Sequence, residues 1–352
     1  MAKKKSFLKK IISSFILLVV VAGGVGGYFV YKYIYQPNVS LGEKKTEFIY
    51  IRTGWKFEDV KNMLYEKNYI INRFSFELLA EKKKYKNNIK PGRYRLKNRM
   101  ANNALINHLR AGLQEPMQIT LNNIRTKEQL VSRVCKKLEA DSVEMTSYLN
   151  DDDFLTKKFG MTSENILSMF IPNTYEFYWN TSSEQFLERM AREYKAFWND
   201  ERRKKAKSIN LSQSEVSVLA SIVQAEQNYF NGEKKIIAGL YLNRIKKEMP
   251  LQSDPTLIYA IGDFTIQRVL DKHKEVRSPY NTYTNLGLPP GPINLPEISS
   301  LDAVLNYEKN DYIYMCAKED FSGRHNFSKI LEQHNIYAAK YKNVLNKKKI
   351  LR

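Results

Sequence analysis

The run Ile11 to Tyr31 holds 21 residues without a charge, and it constrains this chain more than any other stretch. A helix of that length just spans the hydrocarbon core of a bilayer. Lys3, Lys4, Lys5, Lys9 and Lys10 precede it. By the positive-inside rule the N-terminus stays cytoplasmic and everything after residue 31 lies outside. A cleaved signal peptide is the rival, but its apolar region would be shorter and would end in a small-x-small site. Here the run continues through Gly27-Tyr28-Phe29-Val30-Tyr31. The expectation is therefore an uncleaved single-pass anchor over 11–31 in the cytoplasmic (inner) membrane, with a basic tail over 1–10. Gly23 and Gly27 have GxxxG spacing, which can pack two anchors together but more often carries no meaning.

The remainder of the 352 residues suits two soluble domains rather than one. Hydrophobic residues make up 43%, enough for a real core. The formal charge of +20 fits a lysine-rich surface, a membrane surface or a polyanionic partner, and charge alone does not choose between cell-wall polymer and nucleic acid. Cys135 and Cys316 belong to no CxxC pair, so no zinc site or disulfide framework is legible, and both read as buried and unpaired. His108, His273, His325 and His334 lack HExxH spacing, which argues against a metal hydrolase. No metal and no cofactor is expected.

Residues 32–45 read as a linker. Phe48 to Ile51 looks like a strand, and Phe57, Val60, Met63 and Leu64 recur at helical spacing. A second helix carries Phe74, Leu78 and Leu79. Pro91-Gly92 turns the chain into Tyr94-Arg95-Leu96, and Ala104, Leu105, His108 and Leu109 form a helical face closed by Gly112. Residues 46–115 are thus expected to form a small α+β module. A larger mixed α/β domain follows over 116–345, then a basic tail over 346–352. Met117 to Leu121 alternates as a strand does. Thr126 and Gln129 have capping-box spacing ahead of Leu130, Val134 and Leu138, a faint β–α echo of the first module. The segment Phe170–Phe177 reads as an aromatic loop or strand. Ser278 to Pro296 is a long loop rich in proline, and its aromatic content argues for function rather than disorder.

Leu211 to Gln227 is the clearest helix. Ser212 and Glu215 form an S-x-x-E cap, and Leu219, Ile222 and Val223 share a face. Glu226 lies at the end of that apolar stripe. A carboxylate there is partly desolvated, its pKa rises, and it can act as a general acid at neutral pH. Spacing alone leaves open the alternative of a surface glutamate at a fraying helix end. The loop's Tyr, Asn, Thr and Pro-Pro-Gly suit a groove that holds sugars, and the residues by themselves reach no further than a carbohydrate enzyme.

Several ordered motifs then resemble one family, the endolytic murein transglycosylases, also called YceG-like. They are Leu219-Ala220-Ser221-Ile222-Val223-Gln224-Ala225-Glu226, Tyr241-Leu242-Asn243-Arg244, Leu251-Gln252-Ser253-Asp254-Pro255-Thr256, Ser278-Pro279-Tyr280-Asn281-Thr282-Tyr283, Gly287-Leu288-Pro289-Pro290-Gly291-Pro292-Ile293 and His325-Asn326-Phe327-Ser328. The resemblance covers nearly the whole chain. It implies that the first module is LysM-like and that 116–345 is the catalytic domain. The implied reaction cuts the bond between N-acetylmuramic acid and N-acetylglucosamine and leaves 1,6-anhydro ends, terminating nascent strand elongation. The family's catalytic glutamate falls on Glu226. Asn243, Gln252, Asp254, Tyr280, Asn281 and Tyr283 are expected to line the substrate groove or to support the residues that do, although Asp254 could equally cap the segment after Pro255. Two positions depart from the family pattern: Gln224 stands where relatives often have Glu, and Asn173 stands for Asp. The implied partners are peptidoglycan strands, the membrane and the cell-wall synthesis machinery, and not nucleic acid. The competing reading is an anchored peptidoglycan-binding protein without catalysis.

Overall fold

The structure, a computed structural model, describes residues 2–347 apart from Gln267. It divides into two compact units. The first is Met1–Met117 with Glu176–Asn180; the second is Gln118–Tyr175 with Thr181–Arg352.

The first unit begins with helix α1, Ala2–Tyr35. Its stretch Ile11–Tyr35 has mean hydropathy 2.1 and no residue buried by the protein, as a single-pass anchor requires. The helix outruns the expected boundary at residue 31. Tyr31, Lys32, Tyr33 and Tyr35 carry it on, and these are side chains with apolar stems and polar tips that suit a membrane interface. The next residues correct the linker expected over 32–45. Asn102 donates from Nδ2 to the Tyr33 carbonyl at 3.1 Å. Val39 and Leu41 are buried, and bridges join Pro37 to Ala101 and Val39 to Ile70. The anchor therefore feeds directly into the core of the module.

That module runs β1 (Thr46–Ile51), α2 (Phe57–Glu66), α3 (Arg73–Lys82), β2 (Gly92–Lys97) and α4 (Asn102–Ala111). The strands pair antiparallel from Thr46 opposite Lys97 to Ile51 opposite Gly92. Gly92 begins β2 at φ 148° and Gly112 ends α4 at φ 73°, both left-handed values that glycine accepts without strain. Ile49, Ile51, Val60, Leu64, Tyr94, Leu96, Leu105 and Leu109 fill the core. In α3 the buried face is Phe76, Leu79 and Ala80 rather than Phe74, Leu78 and Leu79. Phe74 is exposed and packs edge-on against Tyr33 at the foot of the anchor, with centroids 6.1 Å apart. A pattern search cannot tell that contact from a core position.

The rest of the chain is mostly helical and falls in the second unit, except that Met117 and Glu176–Phe177, at the ends of its first two strands, belong to the first. Its elements are β3 (Met117–Leu121), α5 (Lys127–Cys135), α6 (Ser142–Asn150), α7 (Asp152–Phe159), β4 (Asn173–Phe177), α8 (Ser183–Phe197), α9 (Asp200–Ser208), α10 (Gln213–Glu226), α11 (Asn231–Lys246), α12 (Asp254–Ile261), α13 (Ile298–Leu305), β5 (Tyr314–Ala317), β6 (His325–Ser328) and α14 (Leu331–Lys347). Strands β3 and β4 pair, and the Thr120 and Thr174 hydroxyls meet at 2.9 Å. Thr126 caps α5 by accepting from the Gln129 N–H. The Gln129 side chain returns to the Arg125 N–H instead of that of Thr126, so the box is displaced by one residue.

Helix α10 is the central post of this unit and packs against α11, α12 and α13. Ser212 and Glu215 form the expected capping box. Every residue from Val216 to Val223 is buried, so the expected apolar face is in fact a helix enclosed all round. Its serines are satisfied locally: the Ser221 hydroxyl donates to the Val218 carbonyl at 2.7 Å and accepts from the Ile293 N–H at 3.0 Å. This second bond pins the long loop over 278–296 onto α10. The loop has no helix or strand of its own. Further ties hold it, such as the Leu295 N–H to the Ile124 carbonyl at 2.8 Å. At Gly291 the approach is so close that a Cβ would lie 1.9 Å from the Glu164 carbonyl oxygen. Proline content here marks an ordered strap, not a mobile tail.

Candidate active site

The last residue of α10 puts its carboxylate into a cavity of about 270 Å³, lined among others by Tyr241, Arg244, Gln252, Asp254, Tyr283 and His325. Glu226 Oε1 accepts two hydrogen bonds, from the Ser253 hydroxyl at 2.5 Å and the Tyr241 hydroxyl at 2.8 Å. Burial pushes the carboxyl above its ordinary value, and nearby Asp254 adds a smaller push; the two hydroxyls and His325 pull it back only in part. The net result is a carboxyl biased toward its protonated form. Burial, reinforced by the adjacent carboxylate, also drives the Tyr241 phenol well above its ordinary value, so it serves as a fixed donor.

Two positions explain how the sequence places these donors. Tyr241 and Arg244 are one turn apart on α11 and share a face with Leu240, which also lines the cavity. Ser253 is the N-cap residue of α12, a position where serine normally accepts from the helix N–H groups. Here it makes no side-chain cap, and its hydroxyl donates to Glu226 instead. The segment leading to it is held by Arg244. Arg244 is 7% exposed, and its guanidinium donates to the carbonyls of Ile313 (2.6 Å), Pro250 (2.9 Å) and Leu251 (3.0 Å) and to Gln252 Oε1 (3.2 Å). Gln252 adopts φ 53° within this clamp.

The expected groove residues divide. Gln252, Asp254 and Tyr283 line the cavity with Glu226, and the Tyr283 hydroxyl donates to Asp254 Oδ1 at 2.5 Å. Asp254 is the first residue of α12 rather than its cap, which is Ser253. Asn243 does not line the cavity; its Nδ2 donates to the carbonyls of Asn310 and Tyr312 at 2.8 and 3.0 Å. Asn281 is wholly buried and organises the loop, donating to the carbonyls of Lys274 and Val276 and accepting from the Tyr283 N–H. Tyr280 stacks obliquely on Tyr259, with centroids 4.7 Å apart, and lies outside the Glu226 cavity. So Asn243 and Asn281 spend their amides on backbone and do not line the Glu226 cavity.

Three residues absent from that expectation stand closest to the chemistry: Ser253, Tyr241 and His325. His325 faces Glu226 from β6 and is braced by Glu233, whose Oε1 accepts from the His325 N–H at 2.9 Å while Oε2 lies 3.2 Å from Nδ1. All three lie inside motifs that the sequence displayed; the missing signal was which face of α11 Tyr241 occupies, and for Ser253 at a helix cap and His325 on a strand it was the tertiary contact itself. Cys316 also lines the cavity, and both cysteines are half-buried and free rather than fully buried. Gln224 has a structural task. Its Oε1 accepts from the Glu297 N–H at 2.6 Å and the Ser300 hydroxyl at 3.1 Å, at the N-terminus of α13. A glutamate could make the same bonds with added attraction to the helix dipole. Among the described residues no group of three His, Cys, Asp or Glu side chains is arranged to hold a metal ion.

A glutamic acid biased toward protonation, held by two hydroxyl donors in a half-open cavity, can give a proton to a leaving oxygen and take one back. The chain as a whole is similar to known proteins. The model of the YceG-like family matches residues 49–340. The chain is 31% identical over 345 residues to the endolytic murein transglycosylase of Bacillus subtilis (strain 168), covering 92% of each. It is 24% identical to the endolytic murein transglycosylase of Streptococcus pneumoniae serotype 2, covering 89% of this chain and 62% of that longer protein. A crystal structure of a YceG-like protein from Listeria monocytogenes superposes with a TM-score of 0.55 at 29% identity, over 84% of this chain and 99% of the other.

Proposed function

The chain belongs to the YceG-like family, and we propose that it is a membrane-anchored lytic transglycosylase that cuts peptidoglycan strands between N-acetylmuramic acid and N-acetylglucosamine, with Glu226 as both acid and base. The observation that carries the reading is the Glu226 carboxyl itself, raised by burial and tethered by Ser253 and Tyr241. Glu226 protonates the glycosidic oxygen as the bond to the anomeric carbon breaks. The resulting carboxylate, steadied by the two hydroxyl donors, takes the proton of the muramic acid 6-hydroxyl. That oxygen attacks the anomeric carbon and closes a 1,6-anhydro ring, and Glu226 is again an acid. Ordinary glycosidases need a second carboxylate to activate water or to attack. An internal hydroxyl removes that need. Asp254, already engaged by Tyr283, shapes the wall and raises the Glu226 pKa.

The product test is direct. Sacculi digested with the purified protein are expected to yield fragments ending in 1,6-anhydro-N-acetylmuramic acid by mass spectrometry. Reducing ends alone would make it a hydrolase.

The anchor supports the rest of the reading. With five lysines ahead of the apolar run, the N-terminus stays cytoplasmic and both folded units lie outside the cytoplasmic membrane. The active site is then tethered where nascent strands emerge, which suits termination of their elongation beside the synthesis machinery. The LysM-like module supplies glycan binding. Full-length protein is expected in the membrane fraction, resistant to carbonate extraction, with residues 1–31 still attached. A soluble mature form beginning after residue 31 would identify a signal peptide instead.

A further inference from the structure

A second cavity, of about 520 Å³, adjoins the first, and nothing in the acid–base reading uses it. Its walls alternate with those of the Glu226 cavity along the chain. Ala225 lines the second cavity and Glu226 the first; Pro255 lines the second and Asp254 the first. Consecutive Cα atoms are about 3.8 Å apart, so at these two points the partition is one residue thick. A polymer bound at Glu226 therefore lies within one residue's thickness of the second cavity.

The chemistry of the second cavity differs from that of the first. Ile258, Ile293 and Leu295 give it an apolar floor. Among the described residues, Arg125 is the only charged side chain lining it. Asn294 contributes an acceptor: its Nδ2 donates to the Ser221 carbonyl at 2.9 Å, while its Oδ1 is buried and has no partner. A buried carbonyl oxygen of this kind is costly unless a ligand donor reaches it. The aromatic side chains are poor candidates for stacking a sugar, because each already has a ring or cation against it. Arg125 sits over Phe264 at 4.9 Å, and Tyr259 packs on Tyr280. One cation, one orphan acceptor, an aliphatic floor and the amides of Asn123, Gln129 and Asn228 along the walls call for a ligand with a carboxylate, backbone-like N–H and C=O groups and small apolar side chains. The size is within the usual range for small-ligand pockets, about 300–1,000 Å³.

We propose that this cavity holds the stem peptide of a muramic acid beside the scissile bond, so that the enzyme prefers peptide-bearing strands to bare glycan. Arg125 pairs with a peptide carboxylate, Asn294 Oδ1 accepts a peptide N–H, and Ile258, Ile293 and Leu295 take alanine-like methyl groups. The inference rests on the peptidoglycan reading for its ligand, but it is testable without turnover.

The experiment uses full-length protein in detergent carrying Glu226→Gln, so that substrate survives. Calorimetric binding is measured for a peptidoglycan tetrasaccharide bearing its stem peptides and for the same tetrasaccharide stripped of peptide by an amidase. The peptide-bearing form is expected to bind at least about tenfold tighter. Adding Arg125→Gln is expected to weaken that form alone, by about fivefold, as befits a partly exposed ion pair. Ile258→Glu, which places a negative charge on the floor, is expected to abolish the preference. Equal affinity for the two ligands, or loss of affinity for both alike in the variants, would overturn the assignment and make the cavity a sugar subsite or an idle one. Failure of the enzymatic reading has a different signature: otherwise unmodified protein would cleave neither substrate while the binding preference persisted. Cleavage of both with the same KM would leave the enzyme standing and remove the peptide site.

Discussion

Glu226→Gln is expected to lower turnover of sacculi by at least about 10² to 10⁴, because a single positioned acid–base group serves both halves of the proposed reaction. The amide has the same shape, and its oxygen can still accept from Ser253 and Tyr241, the two donors on Oε1. What disappears is the titratable proton. The pH dependence of the unmodified enzyme should follow from the direction of the shift. The acid must be protonated to act, so the rate falls as pH rises through the raised Glu226 value. Stability moves with the same sign. A carboxyl raised in the native state contributes fully below its unfolded value, and that contribution is lost as pH rises toward and through the native value. Glutamine removes this loss. The variant should therefore be at least as stable as the parent at neutral pH, with the difference in Tm growing from acid to neutral. Glu215→Gln is the control at the other end of α10, where the carboxylate accepts from the Ser212 N–H at 2.7 Å and completes the cap. It should cost a little stability and little activity. Near-normal turnover in Glu226→Gln with collapse in Glu215→Gln would refute the assignment of the acid.

How far the sequence could lead to this site depended on which kind of signal each residue carried. The anchor was legible because a bilayer imposes a length and a polarity that few other contexts do. Helix α10 was legible because its cap and its apolar run agree. The cap and the apolar run made Glu226 a candidate but left open a surface glutamate at a fraying helix end; its role as the acid came from the family motif. The groove was harder. Asn243 and Asn281 came from the family motifs as groups that could line the groove or support it, and a motif does not say whether an amide meets a sugar or closes a turn and braces a loop. Tyr241 and Arg244 lie beside Asn243 in the same motif, yet they point about 100° or more around the helix from it. Only the packing of α11 on α10 says which face meets the carboxylate. Ser253 was hidden for a related reason: a serine ahead of Asp-Pro reads as a helix cap, and its diversion to Glu226 is a tertiary event. The linker was misjudged because Val39 and Leu41 are isolated hydrophobes in a polar stretch, and isolated hydrophobes have no period to detect.

Arg244 makes the strongest structural prediction for the same reason it escaped notice. Its guanidinium is buried and lowered by that burial, and it holds three backbone carbonyls and Gln252 in one fork. Those carbonyls belong to separate parts of the chain, the 250–252 turn and the residue before β5, so the side chain acts as a bolt through the second unit. Arg244→Leu would leave the acceptors buried and unpaired, at about 1–3 kcal/mol for each group that water cannot reach. A net loss of roughly 3–5 kcal/mol is expected, since some relaxation always occurs. In a unit of this size that is a fall in Tm of at least about 6 °C. Activity should fall with it, because the turn that Arg244 holds leads directly into Ser253. Arg244→Lys should recover only a small part of either loss, since one ammonium cannot reproduce a planar fork with fixed donors. The contrast with Glu226→Gln is the informative measurement. Loss of the acid should remove turnover and spare Tm, whereas loss of the bolt should lower both together. If Arg244→Leu kept its Tm within about a degree, the carbonyls must have found water, and the cavity wall beside Gln252 would have to be more open than the hydrogen bonds of Arg244 imply.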